Sequence, residues 1–197
     1  MSATIDTTLR SATISVLVEN EAGVLARVIG LFSGRGYNIE SLTVGPTQDE
    51  SMSKMTIVTS GDDAVLEQIE KQLKKLVNVL MVTDLTGSGY AGRELLLIKV
   101  KTDQRSRSEI VQMVDIFKAN IVYVHHQALI AEVTGSSEKI DAFIELMKPF
   151  GIIELARTGK VALARSVAPT EMLEPVSMAK IPAVPADDGV IAGLSEG

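Results

Sequence analysis

Hydrophobic and polar residues alternate along residues 12–19, setting Ile14, Val16 and Val18 on one face and Ser15 and Leu17 on the other. A period of two marks a half-buried strand. After the polar turn Glu19-Asn20-Glu21-Ala22-Gly23 the period lengthens. Val24, Leu25, Val28, Ile29 and Phe32 recur at helical spacing, with Arg27 and Ser33 turned away. Gly34 and Gly36 are expected to end this helix, because its closing left-handed residue is least strained as glycine. Two β-rich runs follow at residues 39–44 and 52–59, joined by the hairpin-like Gly45-Pro46-Thr47-Gln48-Asp49-Glu50. Gly61-Asp62-Asp63 opens a second helix with acidic residues suited to its N-terminal dipole. Val65, Leu66, Ile69, Leu73 and Leu76 form its apolar face, and residues 77–85 read as a fourth strand.

The same order then repeats. Beyond the glycine-rich stretch 86–92, strands are expected at 94–101, 121–126, 128–134 and 152–157, and helices at 106–118 and 136–147. Ile110, Val111, Val114 and Phe117 make one helical stripe; Ile140, Phe143, Ile144 and Met147 make the other. Each half reads β-α-β-β-α-β, so the expected fold class is α+β: two tandem ferredoxin-like βαββαβ domains, helices over one face of a four-stranded antiparallel sheet. The repeat is one of structure, since residue-level similarity between the halves is weak. The expected divisions are a flexible arm at 1–11, a first domain at 12–86, a linker at 87–92, a second domain at 93–165 and a disordered tail at 166–197. Four of the chain's 6 prolines fall in that tail, among Ala, Ser, Glu and Asp, a composition that buries too little apolar surface to offset ordering entropy.

Composition narrows the chemistry. The 197 residues carry a net charge of −6, with basic residues scattered rather than gathered on a face, which argues against a nucleic-acid footprint. There is no cysteine, so disulfides, thiolate metal sites and cysteine nucleophiles are excluded. No apolar run approaches the length of a membrane span, and Met1 to Arg10 lack the apolar core of a signal peptide. A cytoplasmic protein without membrane or nucleic-acid partners is the simplest expectation.

Neither joint flanking the first helix holds a nucleophile or an acid–base pair. At the first, the opening turn of a helix leaves amide N–H groups unpaired, and its dipole favours negative charge. A carboxylate could dock on the amides of Gly23, Val24 and Leu25, and Gly23 would let it approach the backbone. Asn20 could contact such a ligand or simply cap the helix, and residue preference alone favours the cap. At the second joint, Asn38 suits a turn and Ile39 a strand core. His125 and His126, adjacent on an expected strand, would point to opposite faces and could not readily share a metal. Arg105 and Arg107 could meet phosphate or be merely solvated. Gly34-Arg35-Gly36 follows a helix, not a strand, and so is no dinucleotide fingerprint. No catalytic triad or carboxylate pair emerges, so neither an enzymatic activity nor a metal site is expected.

The runs ENEAGVLARVIGLFSGRGYNIESLTVGPT and SKMTIVTSGDDAVLEQIEKQLKKLVNV closely resemble the small regulatory subunit of acetohydroxyacid (acetolactate) synthase. The likeness is near-continuous over residues 12–85 and looser to about 164. It implies that the first domain is an ACT domain and the second ACT-like. The chain would have no active site of its own. It would activate a catalytic subunit carrying thiamine diphosphate, Mg and FAD, and confer feedback inhibition by valine or another branched-chain amino acid. It also implies a homodimer through ACT domains with the effector at the seam: Asn20, Gly23, Val24 and Leu25 from one chain, Asn38 and Ile39 from the other. Where the family often has Pro or Ser, this chain has Ala22, a backbone position only. The competing reading is a stand-alone tandem-ACT amino-acid sensor or transcriptional regulator.

Overall fold

The computed structural model describes residues 9–87 and 89–166. The first sheet comprises β1 (Arg10–Glu19), β2 (Ile39–Pro46), β3 (Met52–Gly61) and β4 (Val79–Asp84), in the spatial order β2-β3-β1-β4. Two helices, α1 (Val24–Arg35) and α2 (Asp63–Leu73), cover one face. All the pairings are antiparallel, and β1 pairs with β3 along its full length, from Arg10 opposite Gly61 to Glu19 opposite Met52. Alternation along β1 sends Ala12, Ile14, Val16 and Val18 under the helices. There they meet Val24, Val28 and Phe32 of α1, Leu66, Ile69 and Leu73 of α2, and Met55 and Ile57 of β3.

The second sheet repeats the plan. It comprises β5 (Tyr90–Lys101), β6 (Asn120–Val124), β7 (Ala128–Gly135) and β8 (Ile152–Arg157), in the order β6-β7-β5-β8. Helices α3 (Ser106–Ile116) and α4 (Ser137–Met147) cover one face, and a short 3-10 turn, Lys148–Phe150, leads into β8. Leu96, Ile98 and Val100 of β5 lie under Ile110, Val114, Ile140, Phe143 and Met147. The expected pair of ferredoxin-like βαββαβ units is therefore the fold observed. A ninth strand, β9 (Val161–Ala164), pairs with the first residues of β5, Tyr90 to Arg93.

Several local expectations change. β1 starts at Arg10, inside the stretch read as a flexible arm, because Arg10 and Ser11 continue the ladder with β3. β5 starts at Tyr90, inside the stretch read as a linker, because β9 supplies it with a partner. Helix α1 passes through Gly34 and stops at Gly36, whose φ of 70° closes the last turn. The first eight residues, Ser88 and residues 167–197, which hold nearly all of the expected tail, lie outside the described residues.

The two domains are joined by more than the chain. Ser41 and Thr43 of β2, with Thr56 of β3, sit on the sheet face away from the helices, where residues 158–162 cross them. Thr43 Oγ1 donates to the Lys160 carbonyl (2.9 Å), Lys160 N donates to Ser41 Oγ (2.9 Å) and Ala162 N to Thr56 Oγ1 (3.3 Å). Gly159 is needed at this crossing. A Cβ there would collide with Ser41 Oγ and lie 3.1 Å from the Leu42 carbonyl oxygen. The segment is anchored from behind by Arg157, which bonds the buried Glu94 (2.5 Å) and Asp141 (2.7 Å).

Candidate effector site

The joint between β1 and α1 is held from three directions. Glu19 N donates to the Asn78 carbonyl (3.0 Å), and Asn20 N to the Ser51 carbonyl (2.7 Å). The Asn20 side chain donates through Nδ2 to the Glu50 carbonyl (2.9 Å). Asn20 is therefore not the helix cap that residue preference favours; it ties the joint to the β2–β3 hairpin. The cap position falls to Gly23, in left-handed geometry at φ 87° and with no side-chain cap bond. No Cβ contact within 4 Å hems Gly23 in. The amides of Leu25 and Ala26 have no partner among the described residues, leaving the positive end of α1 open in the way that suits a carboxylate.

Val24 is buried in the core, so only its backbone faces the joint, whereas Leu25 is exposed. Leu25 and Ile29 were expected to share the buried face with Val24, Val28 and Phe32; instead they form an unpartnered apolar stripe on α1. Val44, on the edge strand β2, is exposed too.

Asn38 and Ile39 lie at the opposite end of the domain. Ile39 pairs with Thr59 on β3, whereas Glu19 pairs with Met52. Those β3 positions are seven residues apart, roughly 23 Å at ~3.3 Å per residue. One chain thus does not bring the two groups of residues together. The Asn38 side chain is exposed and has no partner among the described residues, while its carbonyl accepts from Thr59 Oγ1 (2.5 Å). Ile39 is half-buried against the first core.

Two models of known families match this chain. "AHAS small subunit-like ACT domain" covers residues 14–81, and "Small subunit of acetolactate synthase" covers residues 93–166. The chain belongs to the acetolactate synthase small-subunit family. It is 56% identical over 153 residues to the probable acetolactate synthase small subunit of Archaeoglobus fulgidus, covering 78% of this chain and 96% of that one. It is 50% identical over 161 residues to the acetolactate synthase small subunit of Aquifex aeolicus, covering 81% and 84%. The crystal structure of the acetolactate synthase small subunit from Thermotoga maritima aligns with a TM-score of 0.75 at 42% identity, over 81% of this chain and 99% of that one. As a member of this family the chain is a regulatory subunit without an active site of its own.

Within this small-subunit fold the remaining candidates settle into structural places. Strand β6 ends at Val124, so His125 and His126 sit in the turn before β7 and not on a strand, with ring centroids 5.7 Å apart. No group of three or more His, Asp and Glu that could hold a metal occurs among the described residues. Arg107 is tied to the turn before β7: its Nη2 donates to the carbonyls of His125 (3.0 Å) and His126 (2.9 Å), while its Nε is buried without a partner among the described residues. No helix among the described residues is long and apolar enough to cross a membrane.

The residue that sequence reasoning missed is Asn78. Buried just ahead of β4, it donates to Glu19 Oε2 (2.6 Å) and Glu21 Oε2 (3.2 Å) and accepts from Arg27 Nη1. It thereby joins strand end, turn and helix start across more than fifty residues of chain. Only a polar residue inside an otherwise apolar run, Val77 to Val82, hinted at it.

Proposed function

We propose that the chain docks on the thiamine-diphosphate-dependent catalytic subunit of an acetolactate synthase in the cytoplasm and raises its activity. It also makes that subunit sensitive to feedback inhibition by valine or another branched-chain amino acid. Thiamine diphosphate, Mg and FAD belong to the catalytic partner. Two chains pair through their ACT domains, and the effector lies at the seam. Asn20, Gly23, Val24 and Leu25 of one chain then face Asn38 and Ile39 of the partner subunit.

The observation that carries this reading is the open first turn of α1, with a left-handed Gly23 in place of a side-chain cap. The effector carboxylate rests on those amides, and Asn38 supplies a free carboxamide from across the seam. The exposed stripe of Leu25 and Ile29, with Val44 on the edge strand, is the apolar surface such a seam would cover. A hydrophobic pocket separates ligands by one methylene by only about 1–3 kcal/mol, so valine, leucine and isoleucine compete for one site. Regulation needs the effector to favour one arrangement of the complex by about 1–3 kcal/mol.

The test reconstitutes the full chain with its catalytic subunit and measures synthase rate against valine, with titration calorimetry of valine on the free chain. Wild type should activate and confer inhibition. Gly23→Asp, whose carboxylate occupies the amide cradle, should abolish inhibition and spare activation, and Asn20→Ala should weaken valine binding. Absence of activation by wild type, or unchanged valine affinity in both variants, would overturn the reading.

A further inference from the structure

The two domains repeat their joints as well as their element order. Leaving β1, the chain is tied by Glu19 N to Asn78 O (3.0 Å) and Asn20 N to Ser51 O (2.7 Å). Leaving β5, it is tied in the same two directions by Lys101 N to Gly151 O (3.0 Å) and Thr102 N to Gln127 O (3.0 Å). The joint before α3 is thus the counterpart of the candidate effector joint before α1. At this second joint the structure has a cavity of about 830 Å³, bounded by the end of β5, the β6–β7 turn, the start of α3 and the 3-10 turn before β8. That is within the roughly 300–1,000 Å³ of small-molecule sites.

Its chemistry differs from that of the first joint. The amides opening α3 are already occupied: Asp103 Oδ1 accepts from Arg105 N (2.8 Å), Ser106 N (2.7 Å) and Ser106 Oγ (2.9 Å). No amide cradle remains for a carboxylate. Instead the half-buried Lys99 and the exposed Lys101 line the cavity beside His125, and none of the three has an ion-pair partner among the described residues. Glu154 lies opposite Lys99 on β8 without an ion pair to it, and the lining carboxylate, Asp103, has its Oδ1 engaged by the start of α3. Tyr123, Phe150 and Ile153 form an apolar wall. Two lysines outside any ion pair, with Asp103 the one carboxylate of the lining and aromatic rings beside them, are matched by an anion attached to an apolar body.

We propose that this cavity is a second ligand site, for a small organic phosphate whose anionic group is held by Lys99 and Lys101 and whose body lies against Tyr123 and Phe150. Nucleoside phosphates are of this class. A phosphate carries more than one negative charge at neutral pH, which suits two ammonium groups. The site stands independently of the valine reading.

The experiment is titration calorimetry on the full chain with ADP, inorganic pyrophosphate and valine as separate probes. ADP and pyrophosphate should both bind wild type, increasingly weakly as salt is raised. The double variant Lys99→Gln/Lys101→Gln should weaken both by on the order of tenfold or more, as expected for the loss of charge-assisted hydrogen bonds. Tyr123→Ala should weaken ADP and leave pyrophosphate unchanged, which a general loss of folding could not do. Valine affinity should be the same in every variant. Failure of both probes to bind at millimolar concentration, or binding indifferent to the lysines, overturns the proposal. So does a lysine variant that binds neither probe differently yet no longer activates the catalytic subunit, which would make the cavity a protein-docking face.

Discussion

Replacing Gly159 by alanine tests whether the two domains are held together by the crossing at residues 158–162. The added Cβ would collide with Ser41 Oγ and lie 3.0 Å from Thr43 Cγ2 and 3.1 Å from the Leu42 carbonyl. Two of those neighbours are backbone or stiff β-branched atoms of a paired strand, so the loop must withdraw. Overpacking of this kind costs about 1–3 kcal/mol. Withdrawal also breaks the bonds that Lys160 makes to Ser41 and Thr43, each a net ~1 kcal/mol. Because withdrawal relieves part of the clash, the two costs overlap, and domain docking should weaken by about 2–4 kcal/mol, or some 30- to 700-fold in its equilibrium. Neither core contains Gly159, so each domain should keep its own fold. Hydrogen exchange resolved by residue is the assay: the Lys160 and Ala162 amides should lose protection while the Val16 and Ile98 amides keep theirs. Calorimetry should resolve two melting transitions where wild type gives one. Unchanged protection at Lys160 and Ala162 would refute the reasoning.

Asn78→Ala should lower stability by about 2–3 kcal/mol, because three partners, all charged, lose a buried carboxamide and only partly rehydrate; the urea midpoint checks it. Asp103 should make stability pH-dependent. Hydrogen bonds from the Ser106 backbone and side chain, and from the Arg105 backbone, hold its carboxyl below the ordinary value in the folded chain. A depressed folded pKa contributes stability in full above the unfolded value, near ~3.9, and loses it as pH falls toward the lower folded value. The melting-temperature gap between wild type and Asp103→Ala should therefore be constant from pH 5 to 8, about a unit or more above that value, and close below about pH 4. A gap that does not narrow as pH falls below 4 would refute it.

Much of the fold was legible because strands and helices space their apolar residues differently. Ile14, Val16 and Val18 announce β1 through alternation, and the apolar run at residues 95–98 announces β5. The helices were legible in extent but not in orientation: Leu25 and Ile29 have the spacing of core residues, and nothing local says that they stand exposed. Strand β9 left no trace, being four residues of Val, Ala and Leu whose partner lies some seventy positions back. At the candidate site, residue chemistry indicated an anion-friendly turn but made Asn20 its cap, since the carbonyl of Glu50 that claims its side chain is thirty residues away. Asn78 was invisible for the same reason. Its importance lies in Glu19, Glu21 and Arg27, which only folding brings to it.

Strand β5 runs unbroken from Tyr90 to Lys101 while changing partners part-way, β9 at its start and β7 along the rest. Tyr90 hydroxyl lies 3.3 Å from Thr13 Oγ1 on the first sheet, and Lys101 lines the cavity of the second domain. At ~3.3 Å per residue this single beam is roughly 40 Å long. Its short end rests on the ACT sheet. A tilt of about 5° at that end displaces the far end by roughly 3.5 Å, as the length of such a strand dictates. Were the strand to tilt as a rigid body, a change of angle too small to disturb one core would thus become a shift of more than an atomic diameter at the other.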